Sequence, residues 1–262
     1  MFNTLLKMEL RRNFKSGFIW SIGVSSMIYL IIVLYPMVKD IYAQIPEELM
    51  AIMAQFGGVP EDVLEYFATE GAMMLQLFGA IYAALLGFNL ISVFEKERLA
   101  EIIYTQGVAK KTFYLSKLLV MTLLIMAFTL VNALVGYLGF VTIGEGFNMG
   151  KYILFSVLNG VMYLYIAAFS FILALLLNKD IKSMVAIAIP LPLYILSVMS
   201  TLTNNVWLES LKYISPFTFS DPVAILKNQD PFEYISFLVY TGFTLVGLVY
   251  GYFRYQKRIS VS

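Results

Sequence analysis

Cysteine and histidine are both missing from this 262-residue sequence. Without cysteine the chain can form neither a disulfide nor a thiolate metal or redox site. Without histidine it lacks the side chain most often used as a general base and as a transition-metal ligand. The two absences exclude a large part of known catalytic and redox chemistry.

Charged residues are also scarce, at 13% of the sequence, whereas 60% is hydrophobic and the mean hydropathy is +0.79. The apolar residues form runs of about 20, the length that crosses a hydrocarbon core of about 30 Å. The formal net charge of +1 gives no reason to expect a nucleic-acid partner. We therefore predict an all-α polytopic membrane protein, with residues 1–262 as a single transmembrane domain in the lipid bilayer.

Six spans are predicted, and none contains Asp, Glu, Lys or Arg: 17–38, 72–94, 118–141, 152–177, 184–206 and 234–253. Ionisable groups within spans are retained mainly for function, so their absence argues against a proton-coupled transporter. A sodium site made of backbone carbonyls stays open. The spans also lack paired carboxylates or a nucleophile with its base, and "GVAKKT" lacks the spacing of a phosphate-binding loop. We expect this chain to hold no catalytic, cofactor or metal site of its own.

The basic residues predict the orientation. With the N-terminus inside, 14 Lys and Arg residues lie on the cytoplasmic side and 4 lie outside, as the positive-inside rule requires. The sequence therefore predicts a multi-pass cell-membrane protein with both termini in the cytoplasm.

Residues 1–16, the N-terminal arm, are predicted to form an interfacial amphipathic helix. Its apolar stripe and its parallel basic row are Phe2, Leu6, Leu10 and Phe14, and Lys7, Arg11 and Lys15. Such a helix either only lies on anionic lipid or is a connecting element that also touches a cytoplasmic partner.

Two segments are predicted on the outer side. Residues 40–71 read as two short helices that begin at Pro46 and Pro60 and end at Gly57 and Gly71; they form either a stabilising cap or a lid. Residues 207–232, which include Pro216 and Pro222, make a poor seventh span and are predicted to form a re-entrant outer hairpin.

Polar and small residues within the spans have open roles. Gln76, Asn89, Asn132 and Asn159 are either hydrogen-bonding contacts between helices or parts of a substrate path. The four-residue repeats Gly79, Ala83, Gly87 and Gly247, Gly251 predict close helix packing, either within one chain or between two copies. Pro190 and Pro192 predict a kink or a late start of the fifth helix.

The loop after span two carries a patterned set of residues: the cluster Glu95, Lys96, Glu97 and Arg98, then Gly107, then Lys117 with Leu118. This pattern resembles the loop between spans two and three in permeases of the ABC-2 type exporter superfamily. In that family, a charged cluster precedes a short coupling helix, a glycine turns the chain, and a Lys-Leu pair re-enters the membrane. "LKYISPFTFSDPVAIL" resembles the outer hairpin of the same permeases, with Ser215, Pro216 and Phe217 at its centre.

The resemblance implies a permease subunit of an ATP-driven exporter in a bacterial cell membrane. Its partners would be two copies of a separately encoded ABC ATPase, which binds ATP and Mg, and a second identical or related permease. The implied cargo is lipophilic or amphipathic, with an antimicrobial or toxin-like peptide as the first expectation. Residues 40–71 are longer than the matching loop of compact members, which leaves the substrate unassigned.

Residues 95–117 are the predicted cytoplasmic coupling loop. The residues expected to contact the ATPase are Glu95, Glu97, Arg98, Leu99, Glu101, Ile102, Ile103 and Gly107. An apolar edge docked in a partner groove, with charges around it, would set the register of the contact. An autonomous secondary transporter or channel is the first alternative function, and a non-transporting membrane scaffold is the second.

Overall fold

The computed structural model describes residues 2–42, 44–46, 59–96, 109–177, 181–201, 213–227 and 233–258. Within these ranges every regular element is a helix. The α-helices, numbered in chain order, are α1 Phe2–Val33, α2 Tyr35–Tyr42, α3 Val63–Tyr66, α4 Met73–Lys96, α5 Lys110–Ile143, α6 Met149–Leu176, α7 Pro190–Thr201, α8 Pro222–Leu226 and α9 Tyr234–Arg258. A π-helix, Phe67–Ala72, joins α3 to α4, and 3₁₀-helices cover Ser183–Ala188 and Thr218–Ser220.

In the described part of the chain, five helical stretches are long and apolar enough to cross a membrane: Phe2–Val33, Val63–Val93, Lys110–Ile143, Met149–Leu176 and Tyr234–Lys257. A shorter apolar stretch, Ser183–Met199, lies where the fifth span is predicted. The prediction of an all-α, multi-pass membrane protein is confirmed at this level.

Helices α4 and α6 form the centre of the bundle and are its most buried long helices. They approach closely at Gly87, where a Cβ atom would lie 2.0 Å from the Ala167 carbonyl oxygen. Gly79 makes a second close contact, because a Cβ there would lie 2.2 Å from the Tyr163 hydroxyl. The repeat of small residues in span two therefore packs within one chain.

The same holds for the glycines of α9. A Cβ on Gly247 would lie 2.7 Å from a side-chain atom of Ile172 in α6, and one on Gly251 would lie 3.2 Å from the Tyr114 hydroxyl in α5. Small residues thus let α9 approach its neighbours in the bundle.

The outward faces of α1, α5 and α9 are apolar. Their exposed side chains include Phe18, Ile22 and Leu30 in α1, Leu119, Met126, Leu130 and Leu134 in α5, and Phe243, Val246 and Val249 in α9. Peripheral helices with apolar outer faces are expected where the surrounding solvent is lipid.

Helices α1 and α9 both contact the start of α5 at one end of the bundle, the basal end. Glu9 of α1 and Gln256 of α9 both contact the start of α5, through Lys117 and Lys110 respectively. The opposite, distal end carries the ion pairs Lys39–Glu145 and Lys227–Glu65.

Three helix boundaries differ from those predicted. The arm and the first span form one helix, α1, with no break between residues 2 and 33. The short helix expected to end at Gly71 instead continues through a π-helix into α4, with Gly71 buried against Phe67. Helix α5 begins at Lys110, so the last part of the predicted coupling loop is helical and belongs to the bundle. Packing explains all three differences, because contacts with buried neighbours stabilise helical turns that lie beyond the apolar run.

Candidate functional site: a buried ion pair at the base of the bundle

The face of the N-terminal arm that packs against the bundle carries one acidic residue among apolar ones. Leu5 and Glu9, one helical turn apart, are buried, whereas Lys7 and Arg11 are exposed. Glu9 is the only acidic residue among residues 1–39. Its side chain is 0% exposed, so it needs a partner that offsets the loss of hydration.

Lys117 of α5 is that partner, and it too is 0% exposed. Its Nζ lies 2.8 Å from Glu9 Oε1 and also donates a hydrogen bond to the Leu90 carbonyl oxygen of α4. The ammonium group lies 4.6 Å from the ring centre of Phe113, four residues earlier in the same helix. One lysine side chain therefore joins three helices.

Arg12 completes the contacts of the carboxylate. One guanidinium nitrogen lies 3.3 Å from Glu9 Oε2, so the two carboxylate oxygens face different cations. The arginine is half-buried and lines a surface cleft of about 390 Å³ together with Lys15, Ser16, Ile19 and Trp20. The buried pair thus lies just behind an open basic surface.

The first two turns of α5 also hold α9. Lys110 Nζ donates to the Gln256 carbonyl oxygen at 3.1 Å, and the Tyr114 hydroxyl donates to the Leu248 carbonyl oxygen at 2.8 Å. The rings of Phe113 and Tyr255 stack at 6.2 Å. Residues 110–117 are therefore the point where α1, α4 and α9 are connected.

The structure divides the predicted arm residues between two environments. Leu6 and Leu10 are half-buried and pack against the core. Arg11 is exposed, and Phe14 is 63% exposed and stacks on Phe18 with ring centres 6.0 Å apart.

The predicted hairpin residues lie together at the distal end. Ser215 Oγ donates to the Leu193 carbonyl oxygen of α7 at 2.8 Å, while Pro216 and Phe217 are buried. Gln76 Nε2 of α4 donates to the carbonyl and hydroxyl oxygens of Ser220, at 2.6 and 3.0 Å. Gln76 therefore fastens the hairpin segment to the central helix.

A small cavity of about 30 Å³ lies beside this contact, lined by Gln76, Tyr194, Ser197, Asp221 and apolar neighbours. Asp221 caps α8 by accepting hydrogen bonds from the Val223 and Ala224 N–H groups at 2.8 and 3.0 Å. Burial raises the pKa of the Asp221 carboxyl, and these two N–H groups offset the rise only in part.

Asn132 and Asn159 make hydrogen bonds within their own helices. Asn132 Nδ2 donates to the Phe128 carbonyl oxygen of its own helix, and Asn159 Nδ2 donates to the Tyr163 hydroxyl. The side-chain oxygens of Asn132, Asn159 and Asn89 are buried without a hydrogen-bond partner among the described residues. Of the four predicted amides, Gln76 is the one whose side chain hydrogen-bonds to a different segment within the described residues.

The predicted coupling residues fall largely outside the described ranges. Glu95 lies in the last turn of α4. Outside the described residues are Glu97, Arg98, Leu99, Glu101, Ile102, Ile103 and Gly107.

The chain matches no protein-family model and no curated protein sequence.

The sequence carries a signal for the ion pair that hydropathy does not detect. Lys117 lies between Phe113 and Val120 on the buried face of α5, and Glu9 is the lone acid of a basic arm. Isolated charges of opposite sign on the buried faces of two helices suggest a pair.

Proposed function

We propose that this chain is the permease subunit of an ATP-driven ABC-2 type exporter that works with a separately encoded ATPase. The observation that carries the proposal is the base of the bundle: α4 and α5, the helices on either side of residues 97–108, are both joined there to the N-terminal arm. A permease without an ATPase site of its own needs such a connected base to receive force from a soluble partner.

The proposed architecture has six crossings. The five long helices are an odd number, yet α1 begins and α9 ends at the basal end, which requires an even number of crossings. The 3₁₀-helix Ser183–Ala188 and α7 together span about 30 Å, taking rises of about 2.0 and 1.5 Å per residue. This broken helix is the proposed fifth crossing, and its break falls at Pro190.

The proposed orientation places the basal end in the cytoplasm, with the hairpin at residues 213–227 outside. The bias of basic residues supports this orientation. A second copy or a related permease would complete the transport path, and lipophilic or amphipathic peptides are the proposed cargo.

The experiment co-expresses this chain with an ABC ATPase encoded beside it and uses inverted membrane vesicles, with ATP added to the external solution. ATP-driven uptake of a labelled amphipathic antimicrobial peptide that persists after ion gradients are collapsed is the expected result. Transport that follows an ion gradient and ignores ATP would instead identify a secondary transporter. No transport and no association with the ATPase would favour a scaffold. A Walker-A lysine variant of the ATPase is the control.

A further inference from the structure

We propose that Glu9 and Lys117 are a positioning pair that holds the N-terminal arm in register with the two helices flanking residues 97–108. The expected effect of the pair on transport rests on the function proposed above, whereas its expected effect on the position of the arm does not. The pair is fully buried, with Lys117 Nζ 2.8 Å from Glu9 Oε1.

The position of the pair along the helices suits this role. Leu90 lies six residues before the end of α4, and Lys117 lies seven residues after the start of α5. At about 1.5 Å per residue, the pair is about 10 Å from the end of each helix. Any displacement at those two ends therefore reaches the arm within two helical turns.

An ion pair fixes register in a way that apolar contacts do not. Removing one partner leaves a buried charge uncompensated, whereas apolar side chains pack acceptably in several registers. The Leu90 carbonyl adds direction, because it accepts from an ammonium and would repel a carboxylate. Both contacts favour one arrangement of α1, α4 and α5.

The arm positioned in this way presents a defined outer face. With Glu9 buried, the exposed residues Lys7, Arg11 and Lys15 point away from the bundle. Without the pair, the arm could rotate, and its exposed basic residues would no longer hold defined positions.

The test is a distance measurement, which the absence of native cysteine makes direct. Spin labels at Lys7→Cys and Lys111→Cys, both exposed, report the basal separation of α1 and α5. Labels at Met37→Cys in α2 and Leu138→Cys in α5 report the separation of these helices at the distal end. K117M and E9Q are expected to broaden the basal distribution and leave the distal one narrow.

Two further variants separate positioning from general destabilisation. K110M removes another lysine of the same helix, one that contacts α9, and is expected to leave the basal distribution narrow. E9L/K117M replaces the pair by apolar side chains and is expected to fold while the basal distribution stays broad. A narrow basal distribution in K117M, or in E9L/K117M, would overturn the proposal.

The transport arm uses the same E9L/K117M variant with the ATPase. Loss of ATP-driven peptide uptake at normal assembly with the ATPase is expected, and uptake equal to that of the unsubstituted chain would overturn the role in coupling. If the unsubstituted chain shows no ATP-driven uptake, the proposed function fails, while a broadened basal distribution still supports the positioning pair.

Discussion

At the scale of single residues, the carboxyl groups of Glu9 and Asp221 are stabilised in different ways against the loss of hydration. The Glu9 carboxyl lies beside two cations, Lys117 and Arg12. Asp221 instead receives two backbone N–H groups, which cap α8 but do not neutralise it. The first arrangement depends on charge and the second on hydrogen bonding, so substitutions at the two sites should behave differently.

Removal of one member of the ion pair should be severe. K117M leaves one oxygen of the buried Glu9 carboxylate opposite an apolar group, with Arg12 still beside the other oxygen. Breaking a buried pair in this way costs about 3–5 kcal/mol. E9L/K117M should recover most of this stability. The exchanged pair E9K/K117E should not, because its lysine would face Arg12 and its carboxylate would face the Leu90 carbonyl. Thermal unfolding in detergent ranks these variants, and full recovery in the exchanged pair would contradict the assigned contacts.

Asp221 should give a pH-dependent stability. Its folded-state pKa is raised, so folding favours the protonated form. That contribution is complete below the unfolded pKa of about 3.9 and is lost as the pH rises through the folded pKa. D221N keeps a capping oxygen without the charge and should unfold at a higher temperature than the unsubstituted chain at neutral pH, with the difference shrinking towards pH 4.

D221A is the control, because it removes both the charge and the cap, whose loss costs about 1 kcal/mol. A difference between D221N and the unsubstituted chain that is the same at both pH values would show that the carboxyl is not destabilised by burial.

At the scale of elements, the sequence predicts which segments are helical more reliably than where they end. Apolar runs locate α1, α4, α5, α6 and α9, because hydropathy reports the part of a helix that is removed from water, whether it faces lipid or other helices. Apolar runs stop at charged residues, so the first and third predicted spans begin only after Glu9 and Lys117, which pack inside the bundle. Pairing between distant residues such as these depends on the tertiary arrangement, which no local pattern contains.

The close contact between α4 and α6 depends on Gly87. A side chain at Gly87 would collide with the Ala167 backbone, which cannot move aside as a side chain can. G87L should therefore force the helices apart and destabilise the bundle by at least about 1–3 kcal/mol. G242L in α9 is the matched control, because a Cβ there meets nothing within 4 Å. Comparable loss of folded protein in both variants, measured by size-exclusion chromatography, would place the α4–α6 contact elsewhere.

At the scale of the whole molecule, the number of crossings decides where every loop lies. The proposed fifth crossing joins a 3₁₀-helix to α7 at Pro190, whose missing N–H breaks a helical hydrogen bond. Helical breaks at membrane depth are tolerated where neighbouring protein satisfies the freed backbone groups. Its neighbours here are α4 and the hairpin segment, which Ser215 joins to Leu193.

Single cysteines in this cysteine-free chain test the crossings and the orientation together. We expect an impermeant thiol reagent applied to intact cells to label K39C and E61C, and to label K7C, K111C and K257C only after the membrane is opened, because basic residues concentrate on the cytoplasmic side. All five positions lie within described residues, and K7C, K111C and K257C are at the basal end. Labelling of K257C in intact cells, with K7C still protected, would mean an odd number of crossings and would remove residues 183–201 from the membrane. Labelling of all three basal positions would instead mean the opposite orientation, in which a cytoplasmic ATPase could not reach the basal end.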